Sequence, residues 1–296
     1  MKKILLATMA VLAMAGCSQN EDAVVVNNDP VEINLNGGIE AMVISRAAVN
    51  KGEALSGIQF VRVDGAGIGE LADFSTVTIT GNMTEAGNIT FAPTQYYPSN
   101  GTKNANILAF YPAATSIVGG VATMTIDGTN DVMYADVVSG SKGTPITSSL
   151  SFAHKLTQFK FVIKRDATTT DADIADVQVA IKDANSVFKM NLKDGSLSEW
   201  GTPISTITPI TAATAGTSES TPTAGFMLQP DLAKLSLIVS ATGYDEKTIN
   251  ITGTDNGKFE VGKAYTITLT FKGTEITPSG EIAEWTPGTA GGADVQ

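Results

Sequence analysis

The sequence predicts an all-β protein, and three observations predict it. Apolar residues recur at every second position in run after run, Thr and Val are abundant in those runs, and Gly, Asn, Asp and Pro separate them. Helical periods are scarce.

The predicted strands fall into two sets. The first contains Val31 to Leu35, Gly57 to Val63, Val77 to Thr80, Asn88 to Phe91, Ile107 to Tyr111 and Val121 to Ile126. The second contains Leu156 to Lys164, Val177 to Ile181, Val187 to Asn191, Leu235 to Ala241, Thr248 to Thr252 and Ala264 to Phe271. In Leu156 to Lys164, Phe159, Phe161 and Ile163 alternate with Gln158, Lys160, Val162 and Lys164, which predicts one buried and one mostly wet face. Tyr265, Ile267, Leu269 and Phe271 alternate in the same way with three Thr and a Lys. Many short strands of this kind predict β-sandwiches, one per domain. The boundary is set at 150, giving domains 47–149 and 150–296, because Gly140 to Ser149 is rich in Gly, Ser and Thr and has no period. Thr211 to Thr223 reads as a long surface loop.

The N-terminus reads as an export signal. Lys2 and Lys3 precede an apolar run, Ile4 to Ala15, that is shorter than the roughly 18 to 20 residues needed to span a bilayer. The run ends in Leu12-Ala13-Met14-Ala15-Gly16-Cys17, which resembles the bacterial lipobox, so residues 1–16 are predicted to be cleaved and Cys17 to carry lipid. Cys17 is the only cysteine, so the exported chain has no disulfide and depends on its own core. Losing Lys2 and Lys3 takes the formal net charge from −11 to −13, which disfavours nucleic acid as a partner. Ser18-Gln19-Asn20-Glu21-Asp22 resembles the acidic export signal of Bacteroidetes surface lipoproteins, and reads equally well as an unstructured acidic linker.

Four further segments stand out: Ala109-Phe110-Tyr111-Pro112, Asp131-Val132-Met133-Tyr134-Ala135, Leu150-Ser151-Phe152-Ala153-His154-Lys155-Leu156 and Gly262-Lys263-Ala264-Tyr265-Thr266-Ile267-Thr268-Leu269, the last followed by Ile282 and Trp285. In this order they resemble the fimbrillin family of Bacteroidetes, the subunits of type V pili and their relatives. The resemblance implies two tandem transthyretin-like Greek-key β-sandwich domains. It also implies an outer membrane lipoprotein at the cell surface whose lipidated segment, with the first strand, is removed by an arginine-specific protease. Ser45-Arg46-Ala47-Ala48 fits that site, since Arg46 is the only basic residue between Lys3 and Lys51. Residues 17–46 then form a tether and a removable strand whose face is Val31, Ile33 and Leu35. The sheet left open would accept a segment from another pilin subunit. By the same resemblance the donated segment is Ile276 to Trp285, an imperfect strand in which Ile276 and Ile282 share a face with Pro278 and Gly280 between them, and Trp285 is out of phase. The alternative is a tail that pairs with its own domain.

Enzyme readings find little support. The single histidine, His154, sits where the turn into a strong strand is expected and reads as structural, no Gly-x-Ser-x-Gly pattern is present, and His/Cys metal sites are excluded by count. No cofactor is expected. Asp127-Gly128-Thr129-Asn130-Asp131 and the group Asp171, Asp173 and Asp176 read as turns rather than calcium loops. Tyr96, Tyr97 and Trp200 suggest the main alternative function, a surface lipoprotein that binds carbohydrate without polymerising, unless they are core anchors at strand ends.

Overall fold

The computed structural model describes residues 29–40, 53–67, 79–168, 172–203, 207–253, 256–272 and 275–283. Among them every regular element is a strand. The first half holds β1 (Leu35–Ile39), β2 (Leu55–Asp64), β3 (Ile79–Met83), β4 (Asn88–Ala92), β5 (Ala105–Tyr111), β6 (Ser116–Val118), β7 (Val121–Thr125), β8 (Met133–Gly140) and β9 (Leu150–His154). The second holds β10 (Thr157–Arg165), β11 (Ile174–Ile181), β12 (Asn185–Asn191), β13 (Leu197–Pro203), β14 (Ile207–Ala215), β15 (Phe226–Leu228), β16 (Lys234–Ala241), β17 (Tyr244–Thr252), β18 (Ala264–Lys272) and β19 (Glu275–Ala283).

In the first half the sheet closes on itself in the order β1-β4-β3-β2-β5-β8-β9, around a core that includes Phe60, Ile107, Met133 and Phe152. In the second half, sheets β15-β10-β18-β19 and β14-β11-β16-β17 face each other across Phe159, Phe161, Leu237, Val239, Leu269 and Phe271. These inward positions are alternate residues on their strands, as the period of two requires.

A fourth sheet, β13-β12-β7-β6, takes strands from both halves. β7 and β12 pair from Thr125 with Val187 to Val121 with Asn191. A lone hairpin cannot cover its own apolar face, so each hairpin completes the other. Beneath them a third cluster gathers Phe110, Met124, Tyr134, Phe188 and Met190. Tyr134, on β8, donates its hydroxyl to the Leu192 carbonyl at 3.1 Å, and burial pushes its pKa up from the ordinary phenol value. Gly195 has φ +66°, and a Cβ there would lie 2.5 Å from the Tyr134 ring, so no other residue fits that turn.

Four expectations need correction. The boundary at 150 falls inside the closed sheet, because β9 pairs with β1 and β8 and buries Leu150 and Phe152 in the first core. Residues 211–215 are not loop but the end of β14, whose pairing with β11 shifts register three times, so the period of two is broken in the sequence. On β10 the second face is not mostly wet, since Gln158 and Val162 are buried too. The first ladder runs Leu35–Ile39 rather than Val31 to Leu35, with only an isolated bridge between Glu32 and Tyr96 upstream, because the chain stays extended through Gly37-Gly38.

Candidate functional site: the slot filled by the first strand

β1 lies between β4 and β9 and is the strand that closes the first sheet. It runs antiparallel to β4, with Leu35 opposite Ile89 and Asn36 opposite Asn88, and parallel to β9, with Gly37 opposite Leu150 and Ile39 opposite Phe152. On the β4 side, the Ile33 N–H donates to the Gln95 carbonyl and the Gly37 N–H to the Gly87 carbonyl, both at 2.8 Å. On the β9 side, the Glu40 N–H donates to the Phe152 carbonyl at 3.0 Å. Ile33, Leu35 and Ile39 are almost wholly buried, and burial of each stabilises the fold by about 2 kcal/mol. Val31, by contrast, is 37% exposed at the rim, so Ile39 takes the third place on the face that the sequence assigned to Val31, Ile33 and Leu35.

Gly37 shares that inward face and leaves no room for a side chain. A Cβ at residue 37 would lie 2.9 Å from Ile89 Cδ1, 3.0 Å from Met83 Sδ and 3.2 Å from the Leu150 carbonyl oxygen. Where the strand leaves the slot, His154 of β9 marks its end. Its Nδ1 lies 2.7 Å from Asp131 Oδ2 and its Nε2 3.3 Å from the Glu40 carbonyl oxygen. The other oxygen of Asp131 accepts the Val132 N–H at 2.8 Å. Both side chains are buried, so the pair ties the last carbonyl of the first strand to the wall of the slot.

Residues 45–285 match the family model described as fimbrillin-like. The chain belongs to the fimbrillin-like family. Fim1C of Bacteroides uniformis, whose name describes a fimbrium subunit, is 26% identical over 226 residues, 72% of each chain. A crystal structure from Bacteroides uniformis described as a cell adhesion protein shares the fold with TM-score 0.63, at 21% identity over 87% of this chain and 99% of that one. A second, from Bacteroides ovatus with the same description, has TM-score 0.56 at 20% identity over 87% of this chain and 98% of that one.

In this fimbrillin the other end of the chain is self-paired. β19 lies along β18, from Glu275 opposite Lys272 to Ala283 opposite Ala264, and forms an edge of its sheet. Ile276 packs against the second core, and Ile282 stands opposite Tyr265 in the ladder. Cys17, Arg46, Ala47 and Trp285 lie outside the described residues. The three aromatic residues of the carbohydrate alternative form no common exposed surface. Tyr97 is buried, its hydroxyl accepting the Ile146 N–H at 2.7 Å, Trp200 stacks on Phe188 with ring centroids 4.2 Å apart, and only Tyr96 is well exposed.

Asp171 lies outside the described residues, and the other members of the acidic clusters are engaged within the protein. Asp127 accepts the Thr129 hydroxyl and the Thr129 and Asn130 N–H groups, and Asp131 is held by His154. The hydroxyl of Thr129 is the main cause that holds the Asp127 carboxyl below its ordinary value. Asp173 pairs with Arg165, and Asp176 accepts the Thr242 hydroxyl. Sequence reading missed Gly37, Ile39 and the Asp131–His154 pair. Gly37-Gly38 looks like a turn, and nothing in sequence joins residues 131 and 154 to residue 40.

Proposed function

We propose that this fimbrillin is a structural subunit of a cell-surface pilus, exported as a lipoprotein on Cys17 and joined to its neighbours by strand exchange after cleavage at Arg46. The observation that carries this reading is the position of β1. β1, the first described strand, closes the first sheet, so cutting between it and β2 frees a piece whose loss opens backbone groups and an apolar slot together. A strand from another subunit replaces both kinds of contact, and repetition of that contact without closure gives a filament.

The arginines support the cleavage site. Arg62 lies within β2 and pairs with Asp64, and Arg165 ends β10 and pairs with Asp173. A protease needs extended, unpaired backbone, which disfavours those two and leaves Arg46 as the candidate among the chain's three arginines. The family match, from residue 45 to 285, also omits β1 and retains β19.

The test is Arg46→Ala in the native host. Export and lipidation should persist while filaments are lost, and normal filaments from that variant would refute the cleavage step.

A further inference from the structure

A β-bulge and an open cleft meet at Trp200. On β13, Ser198 stands opposite Lys189 and Gly201 opposite Val187, so three steps along this strand match two along β12. Glu199 takes up the extra residue with φ +50°, and Leu197 and Trp200 both pack against the third core. Phe188 covers one face of the indole, with ring centroids 4.2 Å apart, so only the other face and the edge are left for the cleft beside it. That cleft has a volume of about 440 Å³, within the roughly 300 to 1,000 Å³ of small-ligand sites. Pro230 and Val261 line it together with Lys155, Gln229 and Asp231.

The polar groups of the cleft are held in place and have capacity to spare. Gln229 Oε1 accepts the Asn185 amide at 2.8 Å, which leaves Nε2 as the donor. Among the described residues, that Nε2 group, the Asp231 carboxylate and the Trp200 indole N–H have no hydrogen-bond partner. Lys155 Nζ lies 5.2 Å from the centroid of the Tyr134 ring, and the Lys155 stem passes so close to Gly195 that a Cβ there would lie 2.9 Å from Cε. The Asp231 N–H donates to the Phe259 carbonyl at 2.7 Å and the residue has φ +58°, in the left-handed region that glycine occupies freely. A carboxylate, an amide donor and an ammonium group around one indole suit a ring of hydroxyls, because each hydroxyl both donates and accepts. The C–H bonds of such a ring meet the negative face of the indole. Lys155 and Asp231 offset each other in charge, so neither an anion nor a cation is favoured. We propose that this cleft binds one neutral pyranose unit of a glycan, stacked on Trp200, with hydroxyls that donate to Asp231 and accept from Gln229 and Lys155. This goes beyond the structural role above and does not depend on strand exchange.

The test uses uncut chain carrying Cys17→Ser and Trp285→Phe, in which Trp200 is the only tryptophan. Methyl glucoside, methyl galactoside, methyl mannoside and methyl N-acetylglucosaminide are titrated against its fluorescence. At least one should give a saturable change, and the charged sugars glucosamine and N-acetylneuraminic acid should bind at least about tenfold more weakly than that one. Two further variants place the site. Asp231→Gly suits the left-handed backbone and removes the carboxylate, and Gln229→Glu keeps an acceptor for Asn185 and removes the donor. Each should keep the parent melting temperature and weaken the sugar at least about tenfold. No saturable change with any of the four glycosides, binding by either variant at the parent strength, or tighter binding of a charged sugar would overturn the proposal. None of these results bears on filament assembly, which the Arg46→Ala test decides.

Discussion

β1 and β19 are the first and last described strands, and they are held in opposite ways. β1 has only five residues in its ladder, but it is paired on both edges and its segment buries Ile33, Leu35 and Ile39. β19 has nine residues, yet among the described residues it is paired on one edge only, and its inward Ile276 and Pro278 are only partly buried. Length and hold are therefore uncoupled. A strand in the middle of a closed sheet gains two ladders and a covered face, whereas an edge strand gains one ladder and half a face. Under the proposed strand exchange the strand to be removed is the tightly bound one, so a covalent cut would be needed to free it. The strand that exchange would donate is the loosely bound one.

Four predictions probe that contrast. The largest effect is expected at the end of the slot. Asp131→Ala leaves two buried groups, His154 Nδ1 and the Val132 N–H, without the carboxylate they face and should cost about 3 kcal/mol or more in denaturant unfolding of the uncut chain. A loss comparable to that of an exposed ion pair would remove the pair from the account. Next, Leu35→Ala should cost about 3 kcal/mol and Ile276→Ala about 1 kcal/mol or less, and equal losses would break the comparison of the two strands. Tyr134→Phe should cost about 1 kcal/mol by deleting the hydrogen bond to Leu192. Because that bond joins the halves, calorimetry of the variant should show the single unfolding transition beginning to split, and an unchanged profile would place the linkage in the shared sheet alone.

The smallest effect is a pH dependence. The folded pKa of Asp127 lies below its ordinary 3.8, chiefly through the Thr129 hydroxyl. The stability it contributes is full above the ordinary value and is lost as pH falls through the lower folded value. Thr129→Val should therefore be slightly less stable than the wild type at neutral pH, and the difference should shrink in acid. A difference that grows in acid would contradict the assignment.

Strands such as β5, β10 and β18 were legible because strict alternation of large apolar residues survives in them. β14 was not, because its bulges break the period, and β13 and β6 were not, because they are the outer strands of a sheet whose two halves join only at β7 and β12. The slot was half legible. Ile33 and Leu35 follow from alternation, but Gly37 looks like a turn residue until the side chains of Ile89 and Met83 are seen against it. His154 was legible as structural by its position, while its tie to Glu40 exists only in three dimensions.

The most direct measurement is the mass of the N-terminus of the protein recovered from filaments on its native cells. A chain beginning at Ala47 is the predicted result, since the slot must lose residues 17–46 before another strand can enter. Assembled chains that all begin at acylated Cys17, with β1 still attached, would contradict strand exchange at this slot.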